Sequence, residues 1–242
     1  MTTMTGQIIC VGLGPGDPEL MSRRAYRLVG EARHVAFFRK KGRPGQARQI
    51  VEGMLSEGAV EYPMEYPVTI EIPFTDPEYN RLLGAFYDDW ATRLADLART
   101  QDVTVLCEGD PFFYGSFMHL YTRLKGRVPL QIVPGITGMS GCWTATGQPI
   151  TWGDDVLTVL MATLPEAELA ARAAATDALA VMKIGRNLAK LKRALATAGR
   201  LEDAWIVSHA TMSEQSVTRL VDAGDCMPYF SIVVVHGQGR RP

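Results

Sequence analysis

No cysteine cluster, no excess of basic residues and no long apolar run marks this 242-residue chain. Each absence removes a class of protein. The four cysteines, Cys10, Cys107, Cys142 and Cys226, are far apart, and no CxxC pair occurs. A zinc site or redox dithiol therefore lacks its usual spacing. Three of them lie inside apolar runs, where cysteine acts as a small buried hydrophobe. They read as free thiols of a reducing compartment. Lys and Arg number 25 against 26 Asp and Glu, a net charge of -1, which disfavours a large nucleic-acid footprint. Nowhere do about 18 apolar residues run together, so no membrane-spanning helix is expected. The opening MTTMTGQIICVGLG has no basic segment and reads as a first strand, not a secretion signal. A cytoplasmic, soluble protein is the expectation. The histidines, His34, His119, His209 and His236, show no metal-ligand spacing, and no metal site is expected.

What is present is the balance of an ordinary globular protein, 47% hydrophobic and 21% charged, long enough to bury a sizeable core. Short apolar runs alternate with helical patterns along the chain. Gln7–Val11, His34–Phe38, Val103–Cys107, Leu130–Val133, Val156–Met161, Ala178–Met182, Ala204–Ser208 and Phe230–Val235 are the expected strands, continuously apolar as in strands buried on both faces. Asp17-Pro18-Glu19 supplies an N-cap, a first-turn proline and an acid at the positive helix end, and Asp76-Pro77-Glu78 repeats it. After the second, Tyr79, Leu82, Leu83, Phe86, Trp90, Leu94 and Leu97 form one apolar stripe, which is core packing. A further helix is expected over Asn187–Ala198, ending before Gly199. Met64–Phe74, rich in proline and glutamate, reads as a long loop. The alternation predicts α/β layers with largely parallel pairing, divided at Pro134-Gly135 into domains 1–135 and 136–242.

Three glycine turns follow buried strands: Gly12-Leu13-Gly14-Pro15-Gly16-Asp17, Glu108-Gly109-Asp110-Pro111-Phe112-Phe113-Tyr114-Gly115-Ser116, and Val133-Pro134-Gly135-Ile136-Thr137-Gly138. In open α/β sheets ligands bind beyond the carboxyl ends of the strands, and glycine lets them approach the backbone closely. The first turn fits a dinucleotide fingerprint poorly, because its third glycine comes too early and Pro15 has no N–H. The basic Arg39, Lys40 and Lys41 keep an NADP-dependent oxidoreductase as the less favoured alternative.

GLGPGD, EGDPFFYGSF, IVPGITGMSGC, VMKIGRN and SHATMSEQ, in this order and spacing, resemble the class III S-adenosylmethionine-dependent tetrapyrrole methyltransferases over nearly the whole chain. EYPM, EGDPFFYGSFMHL, VMKIGRNLAKLKRAL and PYFSIVVVHG look most like the members that methylate C20 of precorrin-2 to give precorrin-3A in cobalamin biosynthesis. The counterpart acting on cobalt-factor II, and other class III methyltransferases, remain open alternatives. The resemblance implies two αβα domains with a cofactor cleft between them, S-adenosylmethionine as cofactor and a homodimer. It places Pro15, Gly109, Asp110, Pro111, Tyr114, Thr137 and Gly138 against the cofactor. It sets Met161, Ala162, Ile184, Ala210 and Thr211 around the adenosine, and turns the loop with Gly14 and Gly16 to the tetrapyrrole.

The sulfonium already activates the methyl group, so the protein supplies alignment and a dry site. A proton must still leave the methylated carbon. Asp17 is the candidate base, although an N-cap explains it completely; Glu108 is the weaker candidate. Arg39–Arg48 carries five basic residues. Guanidinium and ammonium groups match the substrate's carboxylates, so Arg39 and Lys40 are expected at its rim, and Lys183 is a further candidate.

Overall fold

The computed structural model describes residues 5–69, 71–73 and 75–240. The chain divides into two compact units, Met1–Thr137 and Gly138–Pro242.

The first unit runs β1 (Ile8–Gly12), α1 (Arg23–Glu31), β2 (His34–Lys40), α2 (Gln46–Ile50), β3 (Val60–Tyr66), α3 (Pro77–Leu97), β4 (Val103–Cys107), α4 (Phe117–Leu124) and β5 (Leu130–Val133). Its strands pair in the order β3-β2-β4-β1-β5, all parallel. β1 and β4 are buried along their full length. Alternation of side chains explains how both faces are filled. Ile9 and Val11 pack with Ala25, Val29, Ala47 and Ile50 of α1 and α2. Ile8 and Cys10 pack with Phe86, Leu94, Phe117 and Leu120 of α3 and α4.

Two expectations fail here. The reading of Met64–Phe74 as loop gives way at its start, because β3 occupies Val60–Tyr66. β3 pairs only with β2, and an edge position tolerates Pro63 and half-exposed polar residues that a central strand would not. Ile70 and Phe74 lie outside the described residues. Asp17-Pro18-Glu19 opens only a 3-10 turn, Pro18–Leu20, rather than the helix. Met21 then turns extended and buries itself beside Val11 and Leu13. α1 restarts under its own cap, with Ser22 Oγ accepting from the Ala25 N–H at 3.1 Å. At Asp76-Pro77-Glu78 no such anchor intervenes, and the same triplet opens 21 residues of helix.

The second unit runs α5 (Gly138–Ala145), β6 (Leu157–Met161), α6 (Glu166–Ala174), β7 (Ala178–Met182), α7 (Leu188–Thr197), β8 (Ala204–Ser208), β9 (Ser216–Arg219) and β10 (Ser231–Val235). Its sheet order is β6-β7-β10-β8-β9. Only β6 and β7 pair in parallel; β10 runs antiparallel to both β7 and β8, and β9 antiparallel to β8. The expectation of largely parallel pairing is therefore corrected for this unit. The link between β8 and β9 is far shorter than a parallel crossover requires. β9 has no apolar run, because it is an edge strand with no buried residue, and it escaped the sequence reading for that reason. α6 and α7 cover the face that carries Val233 and Val235. α5 lies by the opposite face, with Gly138 near Ile232.

His236 follows β10 and is 5% exposed. Its Nδ1 donates to the Pro149 carbonyl at 3.0 Å, and Nε2 lies 2.9 Å from Thr146 Oγ1. Burial lowers its pKa below the ordinary 6.5, opposed by the Pro149 bond. A depressed folded-state value means that the unfolded chain takes up the proton first as pH falls. Stability from this group is present above about pH 6.5 and is lost as pH drops through the lower folded value. His236→Gln is expected to flatten that fall. Melting temperatures of both proteins between pH 7 and pH 5 check this, and parallel curves would refute it.

Candidate active site

All five strands of the first unit point the same way, so their carboxyl ends form one edge. Gly14, Pro15, Gly16 and Asp17 follow β1; Arg39 and Lys40 end β2; Gly109, Asp110, Pro111 and Tyr114 follow β4; Thr137 follows β5. The connections of β1 and β4 leave for opposite sides of the sheet, which makes their shared carboxyl end the topological switch point.

The three glycine turns meet there. The Gly14 N–H donates to the Gly109 carbonyl at 3.4 Å, and Gly109 returns the bond at 2.8 Å. Both adopt positive φ, 82° and 62°, which favours glycine. Gly12 and Gly135 are needed for a different reason. A Cβ on Gly135 would lie 2.1 Å from the Gly109 carbonyl oxygen, and one on Gly12 would lie 2.6 Å from the Gly135 nitrogen. The absent side chains there admit neighbouring backbone, not a ligand. Asp110 ties the turns together: Oδ1 accepts from the Phe112 N–H at 2.8 Å and Oδ2 from the Gly135 N–H at 3.1 Å.

Asp17 Oδ1 accepts from the Glu19 N–H at 2.8 Å, the capping role. The basic segment is largely paired. Arg39 places Nε and Nη2 on Glu65 at 3.0 and 2.6 Å, Arg48 grips Glu61, and Lys40 lies 3.8 Å from Glu71. A substrate carboxylate meeting Arg39 would have to displace Glu65.

In the second unit β6, β7 and β8 share one direction, since both β7 and β8 run antiparallel to β10. Met161 ends β6 and Ala162 follows it; Lys183 and Ile184 follow β7; Ala210 and Thr211 follow β8. Their strand-end positions thus bring these residues to one edge. The amino end of β10 reaches that edge too, as Ser231 pairs with Ser208, and Gly138 stands near its Ile232. Ala162 and Ile184 are fully buried in the core, so a ligand reaches them only through the backbone. The Ala210 N–H takes no partner among the described residues. A loop edge of small side chains with a spare backbone donor suits the polar rim of a purine.

Among the described residues four non-glycines hold positive φ: Tyr114, Lys183, His209 and Thr211. Each lies on a loop after β4, β7 or β8, and each costs about 1–3 kcal/mol of backbone strain that the surrounding structure must sustain. Three are among the residues expected from sequence. For His209, beside Ala210 and Thr211, the sequence left a cofactor contact and simple packing both open; its legible signal was its place directly after a buried strand. Among the described residues no group of three or more His, Cys, Asp or Glu side chains is placed to hold a metal ion.

Residues 7–222 match the tetrapyrrole (corrin/porphyrin) methylases, and the chain belongs to that family. It is 49% identical to a precorrin-2 C(20)-methyltransferase from Sinorhizobium sp, over 98% of both chains. A cobalt-precorrin-2 C(20)-methyltransferase from Salmonella typhimurium is 29% identical over 97% of this chain and 98% of its own length. Among solved structures, a uroporphyrin-III C-methyl transferase from Thermus thermophilus, complexed with S-adenyl homocysteine, superposes with a TM-score of 0.62 at 21% identity. It covers 96% of this chain and 97% of that one, and shares the fold.

Proposed function

We propose that the protein transfers the methyl group of S-adenosylmethionine to C20 of precorrin-2, giving precorrin-3A. The observation that carries this reading is the 49% identity, over 98% of both chains, to a protein named for that reaction. The relative named for the cobalt-containing substrate is 29% identical over a similar span, which favours the metal-free substrate.

The donor supplies an activated methyl, and the chain supplies position. Gly109, Asp110 and Pro111, with Tyr114 nearby, hold the cofactor's methionine end and ribose, while Pro15 lines the first loop and Thr137 and Gly138 also meet the cofactor. Met161, Ala162, Ile184, Ala210 and Thr211 hold its adenosine, the buried ones by backbone. Gly14, Gly16, Arg39, Lys40 and Lys183 meet the tetrapyrrole. Among the described residues the exposed Lys183 makes no ion pair, which leaves its ammonium available to a substrate carboxylate. The family resemblance supports a homodimer, and the scattered free thiols support a place in the reducing cytoplasm.

The test offers precorrin-2 and cobalt-factor II side by side with S-adenosylmethionine under anaerobic conditions, read by mass spectrometry. One added methyl on precorrin-2, placed at C20 by NMR, is the expected result. Transfer to the cobalt form alone would change the substrate. Transfer to neither, with S-adenosylhomocysteine still bound, would sink the substrate reading and leave the cofactor. S-adenosylhomocysteine at a hundred times its Kd should stabilise the fold by about 2.7 kcal/mol, and NADP should not. That separates the methyltransferase from the oxidoreductase alternative.

A further inference from the structure

The first unit's carboxyl edge carries several carboxylates, and most are engaged. Asp110 gives both oxygens to backbone N–H groups. Asp17 caps the 3-10 turn. Glu65 is held by Arg39 and Glu71 by the Thr69 N–H and Lys40. Glu108 differs. It stands directly after β4 at the switch point, next to the Gly14–Gly109 bridge. One oxygen accepts the Ala47 N–H at 3.1 Å. Its own backbone N–H is the other polar group that favours the charged form, and no cation opposes it among the described residues. The residue is exposed to solvent.

We propose that Glu108 is the catalytic base that accepts the proton displaced from the substrate carbon when the methyl group arrives. The inference rests on the methyltransferase reading above. In the step, the bond from sulfur to methyl breaks and its electron pair stays on sulfur. The ring carbon's electron pair forms the new carbon–carbon bond, and the hydrogen on that carbon leaves as a proton to the Glu108 carboxylate. A base for this step needs an accessible oxygen, freedom from an ion-pair partner and a fixed position. Glu108 combines them: the Ala47 bond fixes one oxygen and leaves lone pairs for a proton. The residue is exposed, but the oxygen on the Ala47 side is part-buried against the fold. Desolvation therefore raises its pKa above the ordinary carboxylate value, opposed by the two N–H groups. That makes it a stronger base than a carboxylate with the ordinary pKa.

Glu108→Gln keeps an oxygen for the Ala47 N–H and removes the proton-accepting charge. It is expected to slow single-turnover methylation of precorrin-2 about a hundred-fold. S-adenosylhomocysteine affinity by calorimetry and the melting temperature should stay at wild-type values. With substrate deuterated at the receiving carbon, the variant should show a primary isotope effect larger than the wild type's. Glu108→Asp should recover part of the rate. A Glu108→Gln enzyme at wild-type rate overturns the proposal. Slow turnover with no gain in isotope effect, or with weakened S-adenosylhomocysteine binding, also overturns it. Wild-type protein that binds S-adenosylhomocysteine but leaves precorrin-2 unmethylated overturns the substrate reading itself, a separate outcome from a fully active variant.

Discussion

Gly135→Ala is expected to destabilise the first unit and to weaken S-adenosylhomocysteine binding together. The new Cβ would sit 2.1 Å from the Gly109 carbonyl oxygen and 2.9 Å from the Gly12 carbonyl carbon. Both obstacles are backbone, so no side chain can swing aside. An added methyl in a packed interior typically costs about 1–3 kcal/mol. Here the penalty should reach or exceed the upper end, because relief requires moving the two other glycine turns. At about 2–4 °C per kcal/mol for a chain of this size, the melting temperature should drop clearly. Gly109 sits beside Asp110, which holds the Gly135 N–H, so the displaced turns carry the proposed cofactor contacts with them. Thermal melts and calorimetric titration on one preparation check this. A variant with wild-type melting and wild-type affinity would show that the turns are not rigidly coupled.

Phe117→Ala is expected to lower stability by about 3–5 kcal/mol, the usual cost of emptying a buried aromatic site. Phe117 opens α4, is fully buried and packs with residues of β1, α3 and β4. In contrast to Gly135→Ala, the folded variant should bind S-adenosylhomocysteine near wild-type strength, since the ring fills the core rather than the loop edge. Urea denaturation with and without ligand separates the two effects. A loss well below about 2 kcal/mol would mean that the surrounding residues collapse into the space.

The contrast between these residues marks how far the sequence could be read. Phe117 belongs to an apolar pattern, and burial follows from the periodicity of such patterns. Val103–Cys107, Leu130–Val133, Ala178–Met182 and Ala204–Ser208 were legible to the residue for the same reason: a short apolar run has one stable place, the inside of a sheet. Val60–Tyr66 and Ser216–Arg219 were not, because edge strands are held by backbone bonds on one side and need little apolar surface. Gly135 looked like a place for a ligand; only the packed backbone shows that a neighbouring turn occupies the space.

The candidate site divides along the same line. The glycine turns were legible because glycine spacing is a local property. Met161, Ala162, Ile184, Ala210 and Thr211 entered only through the family resemblance, and Lys183 through its place after a strand. Local chemistry also determined the α/β class, the main helices and the family resemblance. The tertiary structure decided what depends on partners distant in sequence. It set β10 antiparallel between β7 and β8, used Asp110 as the tie between turns, and neutralised Arg39 with Glu65. It also left Glu108 without a counter-ion among the described residues. Hydrogen bonds, ion pairs and desolvation act through distances of a few ångströms in space, and residues such as Asp110 and Gly135 come within that reach only when the strands carrying them stand side by side.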